Sequence, residues 1–411
     1  MKGMLRTAAL TLLAIPALAA GQDDTIKIGA IATLEGAFAT LGQDGIRGVK
    51  MALEAHDYEI GGKSIELITE SSDASPDSAV QAARKLVEND EVDIVIGPLS
   101  GSEGIALRDY SKTQPQVTFF NGASAAQSTT LRESSENFFR FSTDGAQWMA
   151  GLGEYVYEEK GWERVAVVAE DYSFPYTQVM GFLLDYCSRG GSVAERFWVP
   201  IGNSDYSSIV YSIPQDIDAI YVALGGSDAV NFLTQYQQAG GQKPMIGGSI
   251  TVDQSVLSAK GLGRDYLAGT PSAGPIADNW QNEDWRAFVE RYQDTFPDGL
   301  PSPSLFAHGY YVNTLAATTA LAEVDGELGD HQRYREVVSN LELDTPTGTV
   351  YLDENRQAVA DIFVTEVAQN EDGSLYNKVV EVVPEVNQTL GRDRDEFMEL
   401  GKPSRTNPPC N

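Results

Sequence analysis

Short apolar runs alternate with helical patterns along the first third of the chain, and this order constrains the fold more than any other feature of the sequence. The run at 94–96 contains only apolar residues, as expected for a strand covered on both faces. Apolar residues at helical spacing separate each predicted strand from the next, which calls for a doubly wound parallel sheet. The four strands are predicted at Ile26–Ala32, Ser64–Thr69, Ile94–Ile96 and Gln116–Phe120.

The same alternation repeats in the middle of the chain and predicts a second sheet of the same kind. A chain of 411 residues is also long enough for two domains by the usual prior on domain size. We therefore predict an α/β fold made of two doubly wound parallel-sheet lobes. Strands of the second lobe are predicted at Val165–Ala169, Val193–Val199, Ile217–Val222 and Pro244–Gly247.

The loop after the Ile94–Ile96 strand has the composition of an anion-binding site. Open α/β sheets bind ligands beyond the carboxyl ends of their strands, and a helical pattern starts here at Ser102. Ser100 and Ser102 supply hydroxyl groups, and Gly101 allows a ligand to approach the backbone closely. The unpaired N–H groups and the positive dipole end of the helix attract a carboxylate. The sequence therefore predicts half of a cleft that holds a small acid.

Residues 1–19 have the pattern of a secretory signal peptide cleaved near Ala19. A basic start precedes an apolar run from Ala8 to Leu18, which ends in an A-x-A site and is too short to span a bilayer. The alternative is a buried N-terminal helix. The later apolar stretch at Leu305–Ala322 contains polar residues, so we expect an exported chain that is not inserted in the membrane.

The charge balance and the residue inventory argue against several classes of function. The formal net charge of −30 becomes −32 when Lys2 and Arg6 are lost with the leader. Such acidity argues against nucleic acid or anionic lipid as a partner. The three histidines have no second ligand at metal spacing, and no H-E-x-x-H, C-x-x-C or G-x-S-x-G motif occurs. We therefore expect a binding protein without catalytic residues, metal or cofactor, with a hydrolase as a less favoured alternative.

The two cysteines are Cys187 and Cys410. An exported chain matures in an oxidising compartment, where two thiols can form a disulfide. Spacing does not decide connectivity, so two unpaired thiols are the alternative. A bridge would tie the polar C-terminal tail back onto the second lobe.

Several short motifs together give the chain a family resemblance over residues 26–383. The chain resembles the leucine/isoleucine/valine-binding branch of the type I periplasmic binding proteins. The motifs are Ile28-Gly29 with the Gly36 and Gly42 loop, Ile65–Leu67 with Asp73 and Pro76, Lys85–Val87, Gly122–Ser124, Phe139–Phe141, Trp162 before Val165–Val168, and Thr347-Gly348 before Tyr351–Asp353.

This resemblance implies two lobes joined by a hinge of three crossover strands. It implies a monomeric periplasmic protein that closes on a small-molecule ligand by hinge bending and delivers it to the inner-membrane permease of an ABC importer. A ligand-sensing subunit of a signalling receptor would use the same closed form and is the alternative. The implied crossovers lie near residues 141–143, 270–275 and 345–349. Lobe 1 then contains residues 25–142 plus 273–345, and lobe 2 contains residues 143–272 plus 346–385. The C-terminal tail is 386–411.

The resemblance also implies which residues hold the ligand. The family binds the ligand carboxylate with hydroxyls and backbone N–H groups of lobe 1, which fall here on Ser100–Ser102 and on Ala123-Ser124. Loop capping is the alternative role of these serines. Lobe 2 departs from the family pattern, because the position of the acid that pairs with a ligand ammonium is occupied by Ser249. Two expected tyrosines are also replaced, one by Gly225-Gly226 and one by Phe174.

These departures leave two ligand classes open. Burial of an ammonium without a partner is costly, so an amino acid ligand requires a substitute acid from Asp171, Asp228 or Asp253. Otherwise the ligand is an aromatic or aliphatic acid without an amine. The residues predicted to form apolar walls of the cleft, with core packing as the alternative, are Phe38, Trp148, Tyr172 and Phe174.

Overall fold

The computed structural model describes residues 25–261 and 264–410, so the predicted leader at residues 1–19 lies outside the described residues. Within this part of the chain the strands form one six-stranded and one nine-stranded sheet. We call each sheet, together with the helices that pack on it, lobe 1 and lobe 2. The predicted α/β class with two mainly parallel sheets is confirmed.

The sheet of lobe 1 has the strand order β2-β3-β1-β4-β5-β6, and all neighbours are parallel except the β2–β3 pair. The direction of winding reverses beside β1, because the chain continues first to β3 on one side and then to β4 on the other. Its strands are β1 (Thr25–Thr33), β2 (Glu59–Ile60), β3 (Lys63–Ser72), β4 (Ile94–Ile96), β5 (Thr118–Phe120) and β6 (Phe138–Phe139).

The sheet of lobe 2 reverses in the same way beside its first strand, β7, which lies between β8 and β9. The strands β8, β7, β9, β10 and β11 are parallel, and the antiparallel strands that follow extend this sheet. Its strands are β7 (Arg164–Glu170), β8 (Ser192–Val199), β9 (Ala219–Ala223), β10 (Met245–Gly247), β11 (Pro271–Gly274), β12 (Glu342–Thr345), β13 (Gly348–Leu352), β14 (Ala358–Gln369) and β15 (Leu375–Val386).

Helices connect and cover both sheets. One start predicted by its residue types is α2, where the side chain of Ser75 accepts the N–H of Ser78 and Pro76 is the first helical residue. The helices are α1 (Ala39–Glu54), α2 (Pro76–Arg84), α3 (Gly101–Ser111), α4 (Leu152–Glu154), α5 (Ser173–Tyr186), α6 (Ser207–Ser212), α7 (Gly226–Gln238), α8 (Gln254–Leu257), α9 (Arg264–Leu267), α10 (Glu283–Thr295), α11 (Leu305–Glu323), α12 (Gln332–Ser339) and α13 (Arg394–Glu399).

Helix α11 belongs to lobe 1 although it follows lobe 2 strands in the chain. Its Tyr310 hydroxyl donates to the Ile31 carbonyl of β1 over 2.7 Å. A Cβ atom on Gly48 of α1 would lie 2.1 Å from the Ala307 carbonyl oxygen of α11, so only glycine permits this helix contact. The chain therefore returns from lobe 2 to complete the core of lobe 1.

A buried polar network joins the two lobes where the chain first crosses between them. The Arg140 N–H donates to the Arg356 carbonyl, and the Arg140 carbonyl accepts from the Ala358 N–H of β14. The Arg140 guanidinium is fully buried, and it hydrogen-bonds to the Gln357 side chain and faces Asp144 at 3.7 Å. Burial lowers the Arg140 pKa to about 10, whereas the Asp144 charge opposes this shift. This network fixes the geometry of one crossover.

The C-terminal tail contacts both lobes, and its path is more ordered than its polar sequence suggests. Phe397 of α13 packs against Leu131 of lobe 1 and Met180 of lobe 2. Arg132 donates to the Gly401 carbonyl over 2.7 Å. Cys410 is joined to Cys187, at the end of α5, by a disulfide. The tail is thus fastened covalently to lobe 2 and non-covalently to lobe 1.

Candidate ligand cleft

The two points of winding reversal face each other and form a cleft between the lobes. The loops after β1 and β4 line one side, and the loops after β7 and β9 line the other. These loops touch, since a Cβ atom on Gly226 of lobe 2 would lie 2.3 Å from the Ala37 carbonyl oxygen of lobe 1. This is the location at which open α/β sheets bind ligands.

Helix α3 begins one residue earlier than predicted, and this changes the role of Ser100. Ser100 is the N-cap in a capping box, in which its side chain accepts the Glu103 N–H and its own N–H donates to Glu103 Oε2 over 2.8 Å. Its hydroxyl donates to the Ala74 carbonyl over 2.9 Å. The Ser100 hydroxyl and N–H are therefore already paired within the protein, and a contact of Ser100 with the ligand stays a prediction. The cap leaves the first-turn N–H groups of Gly101 and Ser102 without an intrahelical acceptor.

The N-termini of α3 and α5 meet across the cleft. The Ser102 and Ser173 hydroxyl oxygens lie 3.0 Å apart, and Ser173 is the first residue of α5. The N-cap of α5 provides no side-chain cap. A Cβ atom on Gly101 would lie 2.9 Å from Phe174 Cβ, so glycine is needed for this approach. Two positive dipole ends therefore point to one small region, which favours an anion there.

The second predicted donor loop of lobe 1 is paired within itself. The backbone N–H groups of Ala123 and Ser124 both donate to the Pro98 carbonyl, over 3.0 and 3.2 Å. The Ser124 hydroxyl donates to Asn121 Oδ1 over 2.6 Å. These donors fix the loop conformation, and the carboxylate-binding role of Ala123 and Ser124 stays a prediction. The Ala123 side chain still lines the cleft.

An apolar cavity lies next to the meeting point of the two helices. In this closed arrangement the cavity has a volume of about 10 Å³, which is room for about one water molecule. The four aromatic residues predicted as apolar walls all line it, and their rings form a continuous series with centroid separations of 5.4–6.3 Å. The lining residues are Phe38, Leu41, Leu99, Ala123, Trp148, Tyr172, Phe174, Ile250 and Phe306.

Ser249 and Gly225 of lobe 2 lie beside this cavity. Ser249 Oγ accepts from Gln178 Nε2 over 2.6 Å, and Ser249 lines a neighbouring, more polar cavity. The Gly225 N–H donates to Glu170 Oε1 over 3.0 Å. A Cβ atom on Gly225 would lie 3.0 Å from Ile250 and 3.5 Å from Phe38, so Gly225 forms part of the cavity wall.

Two of the three predicted substitute acids have structural partners. Asp171 accepts hydrogen bonds from Arg405 of the tail and from the Tyr176 hydroxyl. Burial acts to raise the Asp171 pKa, but these hydrogen bonds outweigh it and lower the pKa. Asp253 accepts the N–H groups of Ser255 and Leu305 at 3.0 and 2.9 Å, and burial raises the Asp253 pKa to about 6. Each oxygen of both carboxylates already accepts a hydrogen bond within the protein, and the role of either residue toward a ligand stays a prediction.

The third candidate, Asp228, is buried and retains one unpaired oxygen. Its Oδ2 accepts the Gly202 N–H over 2.7 Å, whereas Oδ1 has no hydrogen-bond partner. Burial raises the Asp228 pKa. Asp228 is in the first turn of α7, near the cleft but beneath its surface.

The sequence interpretation missed two other buried acids, Glu170 and Glu103. Glu170 is fully buried at the end of β7, and its Oε2 has no hydrogen-bond partner. Burial raises the Glu170 pKa well above its usual value, and the charge of Asp228 adds to this shift. Glu103 is equally buried and has an unpaired Oε1. One signal was available for Glu170, namely an acid that directly ends an apolar strand at a ligand-binding edge.

The described residues contain neither a metal-binding cluster nor a membrane-spanning helix. No group of three or more His, Cys, Asp or Glu side chains there is arranged to hold a metal ion. In the same part of the chain no helix has both the length and the hydropathy needed to cross a bilayer.

Comparison with known proteins gives a consistent set of relatives. The family model described as periplasmic binding protein matches residues 25–373. Leu/Ile/Val-binding protein homolog 6 of Brucella melitensis is 26% identical over 392 residues, covering 92% of this chain and 97% of that protein.

Solved structures agree with this assignment at the level of the fold. An ABC transporter substrate-binding protein from Sphaerobacter thermophilus superposes with a TM-score of 0.79 at 28% identity, covering 89% of this chain and 99% of the other. A solute-binding protein of an ABC transporter from Rhodopseudomonas palustris BisB5, in complex with 3,4-dihydroxybenzoic acid, has a TM-score of 0.81 at 24% identity, with coverages of 89% and 99%. The similarity to the Rhodopseudomonas palustris protein supports the fold alone.

Proposed function

The chain belongs to the periplasmic binding protein family, and on that premise we propose that it is the substrate-binding protein of an ABC importer for a small, carboxylate-bearing solute. The relatives named above, a Leu/Ile/Val-binding protein homologue and an ABC transporter substrate-binding protein, support the transporter class. The solute binds between the lobes and is passed unchanged to a permease.

The observation that carries this proposal is the 3.0 Å contact between Ser102 and Ser173. Each hydroxyl sits at a helix N-terminus, and each helix belongs to a different lobe. A carboxylate between them accepts hydrogen bonds from both lobes, and bonds to a charged group contribute about 1.5–3 kcal/mol each. A ligand bound in this way stabilises the closed arrangement over an open one.

The cavity beside these helices supports a ligand with an apolar body. Its walls are mainly aromatic and aliphatic side chains, and the only polar atoms among these side chains are the Tyr172 hydroxyl and the Trp148 indole N–H, which donates to Thr143. Burial of apolar ligand surface contributes about 25 cal/mol per Å². An aliphatic or aromatic acid therefore matches the cleft better than a highly hydroxylated one.

The mechanism is a two-state hinge. The solute first meets the exposed N–H groups at the start of α3 in the open protein, and closure then brings α5 onto it. The buried network around Arg140 and Gln357 lies at a crossover between the lobes and serves as a fixed pivot. The closed form is the one that docks on the permease.

We also propose that the mature chain is a periplasmic monomer exported by its leader. The basic and apolar pattern of residues 1–19 and the Cys187–Cys410 disulfide support an oxidising, extracytoplasmic location. Cell fractionation and N-terminal sequencing of the mature protein test this proposal. A chain that keeps residues 1–19 and stays in the cytoplasm contradicts it.

A thermal-shift screen of the purified mature protein tests the proposed binding function. A ligand that binds only the native state raises the melting temperature. At least one aliphatic amino acid, aromatic acid or aliphatic acid is expected to do so, and the shift should shrink in Ser102→Ala. Ser208→Ala, at an exposed serine of α6, is the matched control and should retain the shift. If no acid shifts the melting temperature, the proposal is wrong.

A further inference from the structure

We propose that residues 393–410, called the strap below, hold the two lobes together from outside the cleft and so stabilise the closed arrangement. The strap contains α13 and the last described residues of the chain. None of its residues lines the cavity in which the solute is proposed to bind. The inference therefore goes beyond the proposed function, and its test needs no ligand.

The first part of the strap binds lobe 1 through two arginines. Arg132 of lobe 1 donates to the Gly401 carbonyl over 2.7 Å and to the Met398 carbonyl over 3.3 Å. In the reverse direction, Arg394 of α13 donates to the Leu131 carbonyl over 3.1 Å. Hydrogen bonds from a charged donor are stronger than those between neutral groups, and a guanidinium at the C-terminal end of α13 also meets the negative end of the helix dipole. These bonds attach α13 to the loop between β5 and β6.

The aromatic ring of Phe397 lies between the two lobes. Phe397 is fully buried and packs against Leu131 of lobe 1 and Met180 of α5 in lobe 2. Opening of the lobes moves these two neighbours apart and exposes part of the ring to water, which disfavours the open form. Phe397 therefore rewards closure although it belongs to the tail.

The last part of the strap is anchored to lobe 2 by a covalent bond and by hydrogen bonds. The disulfide joins Cys410 to Cys187 at the end of α5. Arg196 of β8 donates to the Pro408 carbonyl over 2.7 Å. Because the covalent bond keeps this end in place, the contacts that α13 makes with lobe 1 form within one tethered segment, at a high effective concentration.

Arg405 ties the strap to the segment of lobe 2 that forms one wall of the cavity. Its guanidinium binds both oxygens of Asp171, with Arg405 Nε 2.7 Å from Asp171 Oδ1. Tyr172 and Phe174, which line the cavity, follow Asp171 within three residues. The Arg405 side chain is 63% exposed, and such ion pairs contribute little stability by themselves. The pair therefore serves to orient the strap beside the cleft.

The attachments to the two lobes are close together in the chain, and this limits how far the lobes can separate. Only residues 402–404 lie between Gly401, held by lobe 1, and Arg405, held by lobe 2. Such a stretch spans at most about 14 Å when fully extended. In the structure it is folded back, because Asn407 Nδ2 donates to the Leu400 carbonyl over 2.8 Å. Opening therefore breaks this turn first and, beyond the reach of the stretch, one of the two attachments.

The strap acts on the balance between open and closed protein. Direct contacts between α5 and lobe 1, such as the 3.1 Å hydrogen bond from the Gln127 N–H to Thr177 Oγ1, join neutral groups. The strap adds charged donors and the burial of an aromatic ring. Affinity for a ligand of the closed form rises with the fraction of protein that is closed. The strap therefore increases affinity without contact with the solute.

Double electron–electron resonance on the ligand-free mature protein tests the proposal. Spin labels are placed at two exposed residues on opposite sides of the cleft, Lys50 of α1 and Gln237 of α7, through noncanonical amino acids that leave the disulfide intact. Arg132→Ala removes the attachment to lobe 1. The ratio of open to closed protein is expected to rise at least about threefold in this variant, as the loss of partly exposed hydrogen bonds from a charged donor implies.

Two further variants complete the design. Arg333→Ala removes an exposed arginine from α12 of lobe 1 and is the matched control, whose distance distribution should equal that of the wild type. Cys187→Ser/Cys410→Ser releases the other end of the strap and should shift the distances in the same direction as Arg132→Ala. If one of the two strap variants does not fold, the other decides the question.

The outcomes separate this inference from the proposed function. Distances in the folded strap variants equal to those of the wild type overturn the strap and leave a tail that is only fastened to the surface. A ligand-free wild-type protein found in the open form alone overturns it as well, because the strap then holds no closed fraction. Neither result affects the thermal-shift screen, which decides the proposed function separately.

Discussion

The hydroxyl oxygens of Ser102 and Ser173 lie 3.0 Å apart across the cleft, although the two residues are 71 positions apart in the chain. Each residue occupies the first turn of its helix, α3 in lobe 1 and α5 in lobe 2. The contact therefore brings two helix N-termini, with their unpaired N–H groups, to one place between the lobes. The predictions below follow from this relationship and from the charges buried beside it.

The double variant Ser102→Ala/Ser173→Ala is expected to bind the carboxylate ligand at least about tenfold more weakly. The reason is the loss of two hydrogen bonds to a charged group, which contribute about 1.5–3 kcal/mol each. Calorimetric titration measures the change, with Ser208→Ala as control. Ser124→Ala should have a smaller effect on affinity, because its hydroxyl is bound to Asn121. An unchanged affinity of the double variant would show that the carboxylate binds elsewhere.

Gly101→Ala is expected to oppose closure of the lobes. The added Cβ would lie 2.9 Å from Phe174 Cβ and 3.0 Å from the Phe174 backbone nitrogen, so lobe 2 has to move away, and a smaller shift is needed at Ala126 Cβ of lobe 1, also 3.0 Å away. We expect a weaker ligand affinity with a melting temperature of the ligand-free protein close to that of the wild type. Small-angle scattering should show a larger radius of gyration at saturating ligand. A ligand-bound variant as compact as the wild type would refute this steric account.

Glu170→Gln is expected to raise the melting temperature of the ligand-free protein at neutral pH. The folded-state Glu170 pKa is raised well above the ordinary value of 4.5. The stabilisation from its protonated form is therefore complete below about pH 4.5 and is lost as the pH rises through the folded-state pKa. Glutamine stays neutral at every pH. The excess in melting temperature of the variant over the wild type should therefore grow between about pH 4 and about pH 8.

Calorimetric melting at both pH values tests this expectation. A difference in melting temperature between variant and wild type that is the same at both pH values would contradict it. A higher melting temperature of the wild type at neutral pH would contradict it as well.

Reduction of the Cys187–Cys410 disulfide is expected to destabilise the protein. The bridge joins residues 223 positions apart, and the loop-entropy model gives about 5 kcal/mol for a loop of this size. A reducing agent should lower the urea midpoint of the wild type to that of Cys187→Ser/Cys410→Ser. The same agent should leave the double variant unchanged. A wild-type midpoint insensitive to reduction would mean that the tail is held by its non-covalent contacts.

The fold was predictable because it depends on local patterns. Apolar runs such as Ile94–Ile96 and the Ser75-Pro76 helix start carry their structural meaning within a few residues. The role of Ser100 was also local, because Ser100 and Glu103 have the spacing of a capping box. The same serine fits a ligand donor as well as a cap, so the sequence alone leaves both roles open.

The site was less predictable because its groups are paired over long sequence distances. Nothing near Asp253 in the sequence indicates that it accepts the Leu305 N–H, and nothing near Asp171 indicates its pairing with Arg405. Ser173 became a candidate only when folding placed it opposite Ser102. Long-range pairing occupies some plausible ligand groups and leaves single oxygens of others, such as Glu170 Oε2, without a hydrogen-bond partner.

The most direct test of the whole account is a crystal structure of the mature protein with the tightest-binding acid from the thermal-shift screen. The account predicts that the ligand carboxylate lies between the two lobes, within about 2.7–3.2 Å of donors at the start of α3 and of α5, including Ser102 and Ser173. A carboxylate bound away from both helix N-termini, or a ligand held by one lobe alone, would contradict it.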